Sequence, residues 1–149
     1  MTKRFNLESV QELSNLRLDQ ATRQLGQLIA GEQQDSRRLE LLVQYRNEYH
    51  EQFLQAASKG LDPGTWHNYQ KFLAKLDEAV EQARAMAHTA KQRTAAGQKN
   101  WLDKRGKVKA MDTLAQRFRA RVAYEESRVE QKQADEHATR FLDNASGKD

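Results

Sequence analysis

Residues 58–65 read Ser58-Lys59-Gly60-Leu61-Asp62-Pro63-Gly64-Thr65, and they contain the only proline of the 149-residue chain. Gly60 suits the left-handed position that ends a helix. Asp62 followed by Pro63 is typical of an N-cap and the first position of a new helix, and Thr65 is an alternative cap. A short connection favours antiparallel packing of the helices on either side. The stretch therefore predicts a turn at about residues 59–65 within a helical hairpin.

Residues that are mostly apolar recur in heptads on both sides of this turn, as in a coiled coil. Before the turn, the two lines are Leu18, Leu25, Leu39 and Phe53, and Ala21, Leu28, Leu42, Tyr49 and Ala56. After it, they are Tyr69, Leu76, Ala83, Ala90, Gly97, Lys104, Met111 and Phe118, and Leu73, Val80, Ala87, Thr94, Trp101, Val108, Ala115, Val122 and Val129. These lines predict an all-α fold, a long antiparallel two-stranded coiled coil that forms a single domain.

The boundaries follow from the same pattern. We expect helix 1 over about residues 7–58 and helix 2 over about residues 66–141, so that the second helix overhangs the first. Residues 142–149 are expected to form a disordered tail. The segment from about residue 120 to 141 then lacks a mate within the chain.

Two irregularities interrupt the repeat. Glu32 and Asp35 form a polar layer, and the small residues of positions 83–97 lie roughly opposite, so we expect a weakly packed and flexible middle. Before Leu18, the apolar residues Leu7, Val10 and Leu13 are out of phase with the later heptads. We therefore expect a slip of the heptad phase there, of the kind that an insertion produces.

Composition and motifs argue against catalysis and against a membrane span. Only 38% of the residues are hydrophobic and 31% are charged, which suits a rod that buries one stripe per helix. The chain has no cysteine, no phosphate-binding loop, no dinucleotide-binding motif and no zinc-protease motif, and its four histidines are widely spaced. No apolar run is long enough for a membrane span, and no secretory signal is present. We expect no enzyme activity, no catalytic residue, no cofactor and no metal, in a cytosolic protein that reaches membranes only through partners.

Charged and aromatic residues are concentrated at different places. Residues 91–121 carry ten Lys or Arg and two Asp or Glu, within a net charge of +4. Such a block can bind nucleic acid, anionic lipid or an acidic protein surface, or it can be a solvated helix face. The aromatic residues cluster around the turn, away from this block, which makes nucleic acid an unlikely partner. Tyr45, Phe72 and Ala79 fall one place off the seam, and aromatic residues in such positions are typical of a partner-binding patch.

Residues on and off the seam also carry a family resemblance. They occur in four stretches around and beyond the turn, 41–49, 68–73, 76–82 and 130–136, and at Trp101 with its basic neighbours. On these residues the chain resembles the flagellar FliJ family of type III export proteins over nearly its whole length.

The resemblance implies a stalk-like coiled coil, similar to the stalk of rotary ATPase gamma subunits. Such a protein binds the hexameric export ATPase, links it to the cytoplasmic domain of the export-gate membrane protein, and escorts export chaperones. It would be cytoplasmic and peripheral at the inner membrane through the export apparatus.

The family's gate-binding patch falls here on Leu42, Tyr45, Tyr49, Phe72, Leu76 and Ala79. The chain departs from the patch at Arg38 and Ala83, where relatives can have glutamine and histidine. By analogy with a stalk that enters a ring, the ATPase would be bound by the basic residues Lys104, Arg105, Lys107 and Lys109.

Two other classes of function stay open. A basic coiled-coil adaptor for nucleic acid would bind with an affinity that falls steeply with salt. A structural coiled coil that forms homo-oligomers would use the unpaired end of helix 2.

Overall fold

The computed structural model describes residues 2–147, and the side chains of residues 6–147. It contains two helices, α1 over Thr2–Ser58 and α2 over Pro63–Ser146, of 57 and 84 residues. No strand occurs in this part of the chain. The predicted all-α helical hairpin is therefore confirmed. The chain divides into two compact units: Arg17–Lys104, here the hairpin unit, and Met1–Leu16 with Arg105–Asp149, here the terminal unit.

The end of α1 follows the predicted glycine signal. Gly60 has a φ of +90°, which is strained for residues with a side chain. The backbone N–H groups of Lys59 and Gly60 donate to the carbonyl oxygens of Ala56 and Ala57, both at 3.2 Å. These bonds satisfy carbonyl groups that the end of a helix leaves without partners.

The start of α2 is capped by Asp62, as predicted. Its carboxylate accepts hydrogen bonds from the backbone N–H of Thr65 at 3.3 Å and from the Thr65 hydroxyl at 2.5 Å. These bonds hold the pKa of the Asp62 carboxyl below its ordinary value. Pro63 takes the first helical position, and Thr65, the alternative cap, lies inside the helix.

In the hairpin unit, the predicted heptad lines form the seam. Its most buried residues are Ala21, Phe53, Leu73, Leu76, Val80, Ala83, Ala87 and Thr94. Contacts between the helices run in antiparallel order. The ring of Phe53 contacts the tilted ring of Tyr69 at 5.6 Å between centroids. The Thr94 hydroxyl donates to the Leu28 carbonyl at 3.3 Å, and the Trp101 indole N–H donates to the Thr22 hydroxyl at 3.0 Å.

The polar layer lies against small residues, as the heptads predicted. Glu32 and Asp35 are half-buried, and they share a cleft with Ala90 and Arg93 of α2. The expected flexibility of this layer stays a prediction.

The terminal unit corrects the predicted slip of phase before Leu18. Leu7, Gln11 and Ser14 are half-buried, at the seven-residue spacing that leads into Leu18 and Ala21, whereas Val10 and Leu13 are exposed. The heptad phase therefore continues unchanged along α1, and the polar residues Gln11 and Ser14 occupy its seam positions before Leu18. The Gln11 side-chain amide donates to the Asp112 carboxylate at 2.7 Å across the seam.

The helix ends extend beyond the predicted boundaries. α1 begins at Thr2 instead of about residue 7, and α2 begins at Pro63 instead of about residue 66. Residues 142–146, expected in a disordered tail, are helical, because no glycine or proline interrupts the chain before Gly147. Lys148 and Asp149 lie outside the described residues. Val129, predicted on the seam, is 55% exposed, and the seam of the terminal unit ends at Val122.

Candidate protein-interaction surfaces

Four aromatic side chains pack together beside the turn, in the hairpin unit. Tyr49 contacts Tyr69 at 5.4 Å and Phe72 at 4.6 Å between ring centroids, the second pair edge-on. Phe53 completes the cluster through Tyr69. Burial raises the pKa of the Tyr49 hydroxyl, and the nearby hydroxyls of Tyr69 and Tyr45 raise it further. The heptad creates this cluster because it turns one face of each helix inward next to the turn.

The six residues that the resemblance assigns to the export gate, here the aromatic patch, differ in exposure. Leu76 is a seam residue and only 7% exposed. Leu42, Tyr49 and Ala79 are half-buried. Tyr45 and Phe72 are exposed by 49% and 37%, so they carry most of the aromatic surface that a partner can reach. Direct packing joins Tyr49 to Phe72.

The surroundings of the patch add residues that the sequence did not single out. Leu41 is exposed and lines a shallow groove with Leu42, Tyr45 and the arginines Arg37 and Arg38. Leu41 and Tyr45 are four residues apart, and such residues are neighbours on the surface of a helix. This spacing was the signal in the sequence from which the groove could have been predicted. Arg46 bridges the two helices through an ion pair with Asp77, at 2.6 Å between Nε and Oδ1.

The two departures from the family patch differ in accessibility. Arg38 is exposed at the groove, so its charge can reach a partner. Ala83 is buried in the seam, where a larger side chain would press on α1.

The four predicted ATPase-binding residues fall into both units. Lys104 belongs to the hairpin unit, whereas Arg105, Lys107 and Lys109 belong to the terminal unit. Lys104 lies on the seam with its side chain 25% exposed, and its Nζ is 3.7 Å from the Asp103 carboxylate. The other three side chains are exposed.

Lys104 also shares a cleft with two arginines of α1, Arg17 and Arg23. This group, here called the cationic cleft, was not predicted from the sequence. The heptads and the position of the turn together place residues of about 17–24 beside residues of about 100–104. This pairing was the signal in the sequence from which the cleft could have been predicted.

The described part of the chain holds neither a candidate metal site nor a helix that could span a membrane. Among the side chains that it describes, no three His, Asp or Glu residues come together in a way that could hold a metal ion. Within residues 2–147, neither helix has a stretch apolar enough to cross a bilayer.

Comparison with known proteins gives one consistent result. The model of the family described as "Flagellar FliJ protein" matches residues 2–146. The Flagellar FliJ protein of Salmonella typhi is 33% identical over 140 residues, which cover 94% of this chain and 95% of that protein. The Flagellar FliJ protein of Escherichia coli (strain K12) is 30% identical over the same lengths. Because the match spans nearly the whole of each protein, this chain belongs to the flagellar FliJ family and has its place in flagellum biogenesis and flagellar protein export.

Proposed function

We propose that this protein is a stalk-like component of the flagellar export apparatus and that it binds the cytoplasmic domain of the export-gate membrane protein through the aromatic patch. The observation that carries the proposal is the exposure of Tyr45 and Phe72 beside the buried seam residues Leu73 and Leu76. Aromatic side chains of this kind dominate the binding energy of many protein interfaces, because they bury a large area at a small entropic loss.

The packing beneath the patch supports this role. Tyr49 holds Phe72 edge-on at 4.6 Å, and Leu76 fixes the helices together at the same end of the unit. The ion pair between Arg46 and Asp77 supplies polar surface near the aromatic residues. A hydrophobic centre with a polar rim is the usual anatomy of a protein interface.

The test compares three alanine variants of the full chain. Tyr45→Ala and Phe72→Ala should each weaken binding to the purified gate domain by about tenfold or more, as for an interface hot spot. Tyr124→Ala is the matched control, since Tyr124 is 64% exposed and lies in the terminal unit. Isothermal titration calorimetry gives the affinities, and circular dichroism verifies folding. Equal affinities of the Tyr45→Ala and Tyr124→Ala proteins would refute the gate contact.

The proposal extends to the export ATPase and the export chaperones. We infer that the basic residues Lys104, Arg105, Lys107 and Lys109 bind the hexameric ATPase, with an electrostatic contribution that salt weakens. The protein then works in the cytoplasm and reaches the inner membrane through these partners. A chaperone that binds the same chain would be brought to the gate together with it.

Self-association is the second candidate function, because the end of α2 exposes several apolar side chains: Tyr124, Val129, Phe141 and Leu142. Sedimentation velocity distinguishes the two functions. A monomer at micromolar concentration fits the stalk, whereas a stable dimer that Val129→Asp dissociates would favour a structural coiled coil.

A further inference from the structure

The cationic cleft of the hairpin unit has positive charge on both walls. Arg17 and Arg23 line it from α1, and Lys104 lines it from α2. Its remaining lining is Ala21 and amide side chains such as Gln24 and Asn100, with no carboxylate. The cleft is open and measures about 600 Å³, within the size range of ligand sites.

Lys104 occupies a position where the heptad calls for an apolar residue. It continues the line of Ala83, Ala90 and Gly97, and the neighbouring seam residue Ala21 is buried. Lysine can occupy such a position when its stem is buried and its charge reaches solvent. The contact with Asp103 is long, at 3.7 Å, and joins adjacent residues of one helix. A seam lysine without a close partner across the seam reduces stability, which an incoming anion would offset.

The two arginines of the cleft are exposed side chains of α1. Neither Arg17 nor Arg23 forms an ion pair with any residue that the structure describes. Arginine presents a planar fork of donors that matches a carboxylate. Two arginines and a lysine that line one cleft offer hydrogen-bond donors to more than one anionic group.

We propose that the cationic cleft binds an acidic segment of a partner protein, with carboxylates against Arg17, Arg23 and Lys104. This inference rests on the proposed function, since it adds Arg17 and Arg23 to the surface assigned to the export ATPase. The amides support a peptide ligand, because they can both donate to and accept from its backbone.

Nucleic acid fits the same charges less well. Binding of single strands relies on exposed aromatic side chains on which the bases stack. No aromatic residue lines the cleft. The nearest indole of the seam, Trp101, is half-buried and donates its N–H to the Thr22 hydroxyl at 3.0 Å.

The first experiment measures binding of a fluorescent hexaglutamate peptide to the full chain by anisotropy. The double variant Arg17→Glu/Arg23→Glu should bind about tenfold more weakly or worse, since it removes two ion pairs and adds two repulsions. Lys75→Glu/Lys91→Glu is the matched control, with the same change of charge at exposed sites of the same unit. Equal loss in both variants would show a general charge effect and overturn the site.

Competition identifies the chemistry of the ligand. Unlabelled hexaglutamate should displace the labelled peptide. Pyrophosphate and a twelve-nucleotide single strand should do so only at far higher concentrations, when the competitors are compared at equal total negative charge. Preferential displacement by pyrophosphate would assign the cleft to phosphate, and preferential displacement by the nucleotide strand would assign it to nucleic acid. Either result would overturn the proposal.

A pull-down with the export ATPase separates this inference from the proposed function. Loss of ATPase binding in Lys107→Glu/Lys109→Glu but not in Arg17→Glu/Arg23→Glu, together with no specific binding of hexaglutamate, would overturn the acidic-segment site and leave the ATPase contact in place. Specific hexaglutamate binding, with ATPase binding unaffected by either variant, would support the site and refute the ATPase contact. Loss in both variants is the expected result.

Discussion

Substitution of Gly97 by alanine tests how closely the two helices approach in the hairpin unit. A β-carbon at Gly97 would lie 2.6 Å from Cδ1 of Leu28 and 3.6 Å from Cδ1 of Leu25. A β-carbon at Gly26, in α1 of the same unit, would have nothing within 4 Å. Both glycines are inside helices, so alanine gains about 1 kcal/mol of helix propensity at either position. The two substitutions therefore differ in the contact with the opposite helix.

The magnitude follows from the overlap. Carbon atoms attract each other best at about 3.5–4.0 Å, so the new methyl group would overlap that of Leu28 by roughly 1 Å. Leu28 must leave its rotamer, at about 0.5–1.5 kcal/mol, or the helices must separate, at about 1–3 kcal/mol. Gly26→Ala should thus stabilise the protein by about 1 kcal/mol. Gly97→Ala should lie between a gain of about 0.5 kcal/mol and a loss of about 2 kcal/mol.

Urea and thermal unfolding followed by circular dichroism measure this difference. In a protein of about 150 residues, a change of 1 kcal/mol shifts the midpoint of thermal unfolding by about 2–4 °C. We expect the Gly26→Ala protein to melt higher than the Gly97→Ala protein by several degrees. Equal stabilisation by both substitutions would refute the close contact between Gly97 and Leu28, and with it the tight seam in this part of the unit.

Three further predictions concern the seam, the turn and the basic residues. Leu76→Ala should lower the free energy of unfolding by about 2–4 kcal/mol in urea, whereas Tyr45→Ala should change it by less than about 0.5 kcal/mol, because only Leu76 is buried. Asp62→Ala should lower the melting temperature at neutral pH. Because the hydrogen bonds from Thr65 hold the folded pKa of Asp62 below its ordinary value, this difference from the wild type should be fully present above the ordinary pKa and shrink as the pH falls through the folded pKa. Reversing the basic charges should weaken ATPase binding in pull-downs by about tenfold at low salt and less at high salt, and unchanged affinity would contradict the assignment of Lys104, Arg105, Lys107 and Lys109.

The turn could be predicted from the sequence because its signals are local. Gly60 ends α1 through its own backbone angle, and Asp62 caps α2 through bonds to a residue three positions away. Neither depends on the rest of the fold. The heptad lines were equally accessible, since a buried stripe needs apolar residues at a fixed spacing.

The phase of the N-terminal segment could not be predicted from its apolar residues. Val10 and Leu13 suggested a shifted apolar stripe. Because α1 is one continuous helix, however, the heptad phase set by its apolar residues from Leu18 onward also holds for the more polar residues before it. Gln11 and Ser14 therefore occupy the seam. The hydrogen bond from Gln11 to Asp112 compensates the partial burial of the Gln11 amide. The cationic cleft was missed for a related reason, since Arg17 and Arg23 meet Lys104 only once the pairing of the two helices is fixed.

The side chains that fill the seam of the hairpin unit are larger near the turn than farther from it. Large residues such as Phe53 and Leu73 fill the seam near the turn, whereas Ala87 and Gly97 fill it farther away. Burial of large apolar side chains provides most of the stability of such a seam, so the end that carries Tyr45 is the more strongly held. A surface on a rigid support loses little conformational entropy when a partner binds, which leaves more of its contact energy for affinity. We therefore expect the exposed aromatic side chains of the aromatic patch, Tyr45 and Phe72, to contribute more to binding there than they would farther from the turn.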